Sequence, residues 1–149
     1  MVKVKTAKRA SLKTKEAFLM CIDFGETNIG VAIGKNGLVV PIKVVRYSNQ
    51  SSAINELVRT AVENKISGVV VGLPLDTENK ETRMSKEIRR FANLLKIVLK
   101  KPLVYQNEYA STKDTLEEMI EQNIPQKRRR VNDHYTAAII LKRYYESLE

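Results

Sequence analysis

The spacing of apolar positions changes from 2 to 3.6 part-way along the chain. Ala17–Asp23 is a continuous apolar run closed by an acid, the pattern of a strand covered on both faces. Asp23–Asn28 contains Gly25 and reads as a turn, and Ile29–Gly34 reads as a second strand. Asn36-Gly37 is a strong hairpin signal, because both residues tolerate the positive φ of a type I′ turn. Leu38–Val45 is the third strand, and Pro41 within it has no N–H to give to a ladder, which predicts a place at the sheet edge. The chain therefore opens as an antiparallel meander.

From there the spacing turns helical. Ala53, Ile54, Leu57, Val58, Ala61 and Val62 form one stripe. Val69–Val71 is a short buried strand ending at Gly72, and Met84, Ile88, Phe91, Leu95 and Val98 mark a longer helix. Pro102–Gln106 is the next strand. Leu116, Met119 and Ile120 predict a third helix, with Ser111 as N-cap and Pro125 as its breaker. Asn132 to about Ser147 is the last helix, with the stripe Ala137, Leu141, Tyr144 and Leu148. Helical crossovers between strands three, four and five favour parallel pairing in right-handed units. The expected fold class is α/β: a mixed five-stranded sheet, three antiparallel strands followed by two parallel ones, flanked by helices.

A chain of 149 residues suits one domain with a sizeable core, and neither a repeat nor a second domain boundary is visible. Lys and Arg number 26 against 17 acids, a net charge of +9 that points to a polyanionic partner, nucleic acid before a membrane surface. Residues 1–15 carry Lys3, Lys5, Lys8, Arg9, Lys13 and Lys15 and no acid. With little apolar surface, they read as a disordered basic tail ahead of a single domain over 16–149. An organellar transit peptide is the sharper alternative to a cytoplasmic chain, given the missing acids and the hydroxyls of Ser11 and Thr14. The apolar run Ala17–Ile22 is too short to span a membrane. One cysteine, Cys21, and one histidine, His134, exclude an internal disulfide, a cysteine zinc cluster and a multi-histidine metal site. The aromatics are scattered, without the stacking-platform pattern of an RNA-recognition motif.

Any metal must then rest on carboxylates, and three acids stand out by position. Asp23 ends an apolar strand, Glu108 lies just past the fifth strand, and Asp133 opens the last helix on its core-facing stripe. In this order of elements they can converge near the carboxyl ends of the strands, where α/β sheets place ligands. Each has an ordinary alternative: a turn residue, an aid to a helix start, and an acid that offsets the helix dipole. Hard oxygen ligands suit Mg²⁺ or Mn²⁺, and such ions assist most with phosphate substrates. Lys127, Arg128, Arg129 and Arg130 precede Asp133 and suit contact with a phosphate backbone, or otherwise form a solvated run. His134 reads as a polar surface or cap residue that could also donate to a phosphate, and Cys21 as a core filler.

Four blocks resemble the YqgF/RuvX family. Ile22-Asp23-Phe24-Gly25 with Ile29-Gly30-Val31-Ala32 is similar to its opening motif, and Val71-Gly72-Leu73-Pro74-Leu75 to its fourth-strand Gly-Leu-Pro motif. Asn107-Glu108-Tyr109-Ala110-Ser111-Thr112 occupies the place of its Asp-Glu-Arg segment, and Asp133 with Thr136-Ala137-Ala138-Ile139-Ile140-Leu141 that of its final Asp and apolar helix. The blocks fall in order from about residue 17 to the C-terminus. The resemblance implies an RNase H-like fold related to Holliday-junction resolvases. It implies catalytic and metal-binding acids at Asp23, Glu108 and Asp133, holding two Mg²⁺ or Mn²⁺ ions. It also implies a phosphodiesterase that trims the 5′ end of pre-16S rRNA or, alternatively, cleaves four-way DNA junctions as a dimer. The expected partner is thus structured RNA or branched DNA, not a membrane, and the chain a monomer or homodimer. Three departures bear on substrate handling: Glu26-Thr27-Asn28 where the family carries Lys or Arg, Asn107 in place of its Asp, and Tyr109 in place of its Arg. They keep a nucleic-acid-binding module without catalysis among the alternatives. Asp23–Asn28 also resembles the first phosphate loop of actin-like ATPases, but those enzymes close two such domains over ATP.

Overall fold

The computed structural model describes residues 12, 14, 16–25, 27–75, 78–107 and 133–148. Five strands, β1 (Leu19–Phe24), β2 (Asn28–Lys35), β3 (Leu38–Arg46), β4 (Gly68–Leu73) and β5 (Leu103–Asn107), alternate with three described helices. These are α1 (Gln50–Glu63), α2 (Arg83–Leu99) and α3 (Asp133–Ser147). The sheet order is β3-β2-β1-β4-β5. β1 to β3 pair antiparallel, while β4 runs parallel to β1 and β5 parallel to β4. The expected mixed sheet is therefore the observed one, and β3, with its proline, is an edge. Asn36 and Gly37 turn the β2–β3 hairpin at φ 57° and 77°, as its dipeptide predicts.

The starts of α1 and α2 have local causes. The Asn49 side chain accepts from the Ser52 N–H at 2.9 Å ahead of α1. Thr82 and Ser85 form a reciprocal capping box ahead of α2. Lys100 ends α2 in the left-handed region at φ 58°.

The side chains of the sheet divide into two cores. Met20 and Ile22 of β1, with Val69 and Val71 of β4, face α1 and α2 and pack on Leu57, Ile88, Phe91 and Leu95. Leu19 and Cys21, with Ala32 and Val70, face α3 and pack on Ala137, Ile140, Leu141 and Tyr145. Both faces of β1 are thus covered, which is why its sequence is apolar without alternation.

Two details lie beyond the sequence pattern. Leu12, within the basic N-terminal segment, is 4% exposed and belongs to the α3 core. The Tyr144 hydroxyl donates to its carbonyl at 2.8 Å. A single leucine among lysines gives no periodicity to read, but Gly68 leaves space for it: a Cβ there would lie 2.0 Å from the Leu12 side chain. Val62 and Val98, both on predicted stripes, are 67% and 51% exposed because each is rotated off the buried face of its helix; Ala61, next to Val62, is 2% exposed. The helix expected around Leu116, Met119 and Ile120, with Ser111 and Pro125, lies outside the described residues.

Candidate active site

Asp23 is the buried acid of the sheet. It is 6% exposed, near the carboxyl end of the central strand. The side-chain alternation that sends Met20 and Ile22 to one core puts Asp23 on the face of Cys21 and Leu19, towards α3. Its opposite number on β2 is Gly30. On the other side the β1–β4 register runs to Ile22 beside Val71, so the next position on β4 is Gly72, itself paired with Gln106 of β5. Glycines thus occupy the neighbouring positions on both adjacent strands.

The C-terminal part of α3 is anchored at the amino end of β1. The Tyr145 hydroxyl donates to the Ala17 carbonyl at 2.8 Å, just ahead of β1, and Tyr145 and Leu141 pack over Gly34, the partner of Leu19. From Tyr145 back to the first residue of α3 is roughly 18 Å of helix. From Leu19 to Asp23 is roughly 13 Å of strand. Asp133 is the first residue of α3, one helix length from this anchor. Burial pushes the Tyr145 phenol up to about 12 and raises that of Tyr144 as well.

The β4–α2 connection is pinned to this end of the sheet. The Thr82 hydroxyl donates to the Pro74 carbonyl at 3.0 Å, and the Asn107 amide donates to the Asn79 side-chain oxygen at 2.7 Å. Asn79 takes up the left-handed region at φ 61°. Arg89 bonds both carboxylate oxygens of Glu81 and lies 4.7 Å from the centre of the Tyr105 ring. The Arg89 hydrogen bond holds the Glu81 carboxyl below its usual range, and Glu81 in turn raises the Arg89 guanidinium. Burial outweighs Arg89 at Tyr105 and raises its phenol.

Of the residues singled out in the sequence, Asp23 is buried at the carboxyl end of β1 and Asp133 opens α3. The Asp133 side chain, and all of Glu108 and Lys127–Arg130, lie outside the described residues. Cys21 is a buried core residue, as expected. Among the described residues no group of three His, Cys, Asp or Glu side chains could hold a metal ion. The described part of the donor set is one buried carboxylate between two glycines, and its hard oxygens fit a hard divalent cation. Sequence reasoning passed over the flanking roles of Gly30 and Gly72, which become visible only once the strand register is known.

The family model RuvX, described as a Holliday junction resolvase, matches residues 17–147. The chain belongs to the RuvX family. A Rhodobacter capsulatus protein named "Putative pre-16S rRNA nuclease" is 31% identical over 124 residues, covering 81% of this chain and 78% of the relative. A relative of the same name from Wolbachia pipientis is 31% identical over 137 residues, covering 90% and 88%. Among solved structures, the Fowlpox virus resolvase in complex with Holliday junction DNA matches at a TM-score of 0.59 and 15% identity, covering 88% of this chain and 98% of the resolvase. RuvC of T. thermophilus in complex with a Holliday junction matches at 0.55 and 13%, covering 89% and 96%. The RuvX chain thus has the RNase H-like fold of the resolvases, and its membership places it among nucleases, hydrolases of phosphodiester bonds. No described helix is long and apolar enough to cross a membrane.

Proposed function

We propose that this RuvX protein hydrolyses phosphodiester bonds in structured RNA, with the 5′ end of pre-16S rRNA as its substrate. The observation that carries the reading is the buried Asp23 carboxyl near the carboxyl end of the central strand, the one buried acid among the described residues. Relatives about 30% identical over most of their length share the pre-16S rRNA nuclease name, which favours RNA. The family's description as a resolvase favours a second reading, cleavage of four-way DNA junctions by a dimer.

Asp23, Glu108 and Asp133 are the proposed catalytic acids and would together hold Mg²⁺ or Mn²⁺. Position 108 follows Asn107, the last residue of β5, directly in the sequence, which supports its inclusion. When bound, the metal supplies Lewis-acid stabilisation of the phosphoryl charge and a water of lowered pKa. The chain supplies position. Asp23 is held by a strand paired on both sides, so its carboxylate loses little freedom on engaging a ligand. Lys127–Arg130 are proposed to grip the flanking backbone through phosphate-matched guanidinium forks.

The test is cleavage of a pre-16S rRNA 5′-leader RNA and a four-way DNA junction side by side, with Mg²⁺, with EDTA and with Asp23→Asn protein. Cutting of the RNA that requires both metal and Asp23 supports the first reading, and cutting of the junction supports the second. Tight binding of either without cutting would overturn both and leave a binding module.

A further inference from the structure

Three aromatic rings scattered in the sequence meet on the opposite face of the sheet from Asp23, at the same end. Phe24 follows Asp23 directly and therefore points towards α2. Its ring meets that of Phe91 edge-on at 4.9 Å between centroids, and Tyr47 leans on Phe91 at 5.7 Å. Together with Gly25, Met84 and Glu87 they line a cleft of about 330 Å³. That volume is within the ~300–1,000 Å³ of small-molecule sites.

The cleft is held in shape by backbone. The Gly25 N–H donates to the Asn28 carbonyl at 2.7 Å, and the Tyr47 N–H donates to the Thr27 carbonyl at 2.9 Å. The turn after β1 and the end of β3 are thus tied together. Phe91 is 5% exposed and serves as a wall, whereas Tyr47 is 37% exposed and presents an open ring surface. Glu87 supplies a carboxylate in the lining, with Arg83 as its loose partner at 3.9 Å.

An aromatic and thioether lining stacks any flat π-system, and a basic nuclease meets such systems as bases. A carboxylate only accepts hydrogen bonds, so it selects a base edge that presents donors. Guanine presents an N1–H and an N2–H side by side, which match the two oxygens of a carboxylate. We propose that this cleft is a guanine-binding subsite, which seats one base of the nucleic-acid strand while its backbone passes Asp23. The proposal rests on the nuclease reading for its ligand class but not for its geometry.

Methionine supplies the probe. Met84 lines the cleft, whereas Met20 is fully buried in the core and serves as an internal control. The full chain, labelled with ¹³C at its methionine methyls and kept in EDTA to prevent hydrolysis, is titrated with the pentanucleotides UUGUU and UUUUU. The deoxy counterpart TTGTT in a separate arm distinguishes RNA from DNA as the source of the base. The expected result is a saturable shift of the Met84 methyl with the guanine oligomers and none at Met20. Tyr47→Ala weakens binding about 5- to 150-fold, the range of a lost base–aromatic stack, and Tyr47→Phe retains it. Glu87→Gln removes the preference for guanine over uracil.

Absence of binding, binding by fluorescence anisotropy with Met84 unmoved, or a Tyr47→Ala protein that binds like wild type would each overturn the subsite. Metal-dependent cleavage with Met84 silent sinks the subsite and spares the nuclease reading. A Met84 shift without cleavage under any metal does the reverse.

Discussion

Asp23 of β1 and Gly30 of β2 lie directly opposite each other in the antiparallel ladder, on the face covered by α3. A side chain at position 30 would stand beside Asp23 on the same face of the sheet. Gly30→Val suits a strand better than glycine by intrinsic preference. Its expected effect is nonetheless a fall in nuclease activity of roughly 10–100-fold, the usual consequence of disturbing a neighbour of a metal ligand. Overpacking against α3 adds a loss of about 1–3 kcal/mol in stability. Cleavage kinetics beside a urea melt separate the two effects, and unchanged activity would show that the space beside Asp23 is not used.

Metal dependence distinguishes the acids by role. EDTA is expected to abolish cleavage by the wild-type protein, and Mg²⁺ or Mn²⁺ to restore it. Asp23→Asn is expected to lose on the order of 10²–10³-fold in rate at saturating metal. A thermal melt of the same variant separates a loss of chemistry from a loss of fold. Glu108→Gln and Asp133→Asn are expected to share the kinetic defect. If either retains wild-type rates, it does not belong to the catalytic set.

Leu12 and Val62 contradict their sequence settings in opposite directions. Leu12 is buried among lysine neighbours, and Val62 is exposed on an apolar stripe. Leu12→Ala is expected to cost about 2–5 kcal/mol, as for other large-to-small core changes. Val62→Ala should stay within about 0.5 kcal/mol. Denaturant melts of the two variants at one pH make the comparison, and equal effects would remove Leu12 from the core.

Alkaline pH probes the α3 contact. Burial raises the Tyr145 phenol from 10.0 to about 12, so the folded chain holds this proton more tightly than the unfolded one. Stability from this group is complete below pH 10 and is lost as pH rises towards 12, a loss of about 2–3 kcal/mol. Tyr145→Phe removes this contribution to the alkaline slope. At pH 7 it costs about 0.5–1.5 kcal/mol for the bond to the Ala17 carbonyl. Melting curves between pH 7 and 12 report both quantities, and parallel curves for the two proteins would refute the assignment.

Much of the fold is legible along the chain because its causes are local. A hairpin dipeptide needs only two residues able to adopt positive φ, and Asn36-Gly37 supplies them. Pro41 marks an edge strand because it lacks an N–H, whatever its neighbours are. The change of period from 2 to 3.6 after β3 reflects which side chains share a face, and the apolar run of β1 reflects cover on both. Asp23 stands out by the same logic, as the one charge in a strand otherwise closed to water.

What stays hidden depends on register and on contacts between distant segments. Nothing near Asp23 in sequence announces that Gly30 and Gly72 flank it, because the pairing of three strands has to be known first. Leu12 becomes a core residue through Gly68 and Tyr144, which lie far from it along the chain. Phe24, Tyr47 and Phe91 carry no shared period, yet one turn, one strand end and one helix bring them to a single cleft. Backbone preference and hydrophobic period act over a few residues and can be read in order. The neighbours of a buried carboxylate and the walls of a cleft are set by packing, which is a property of the folded chain as a whole.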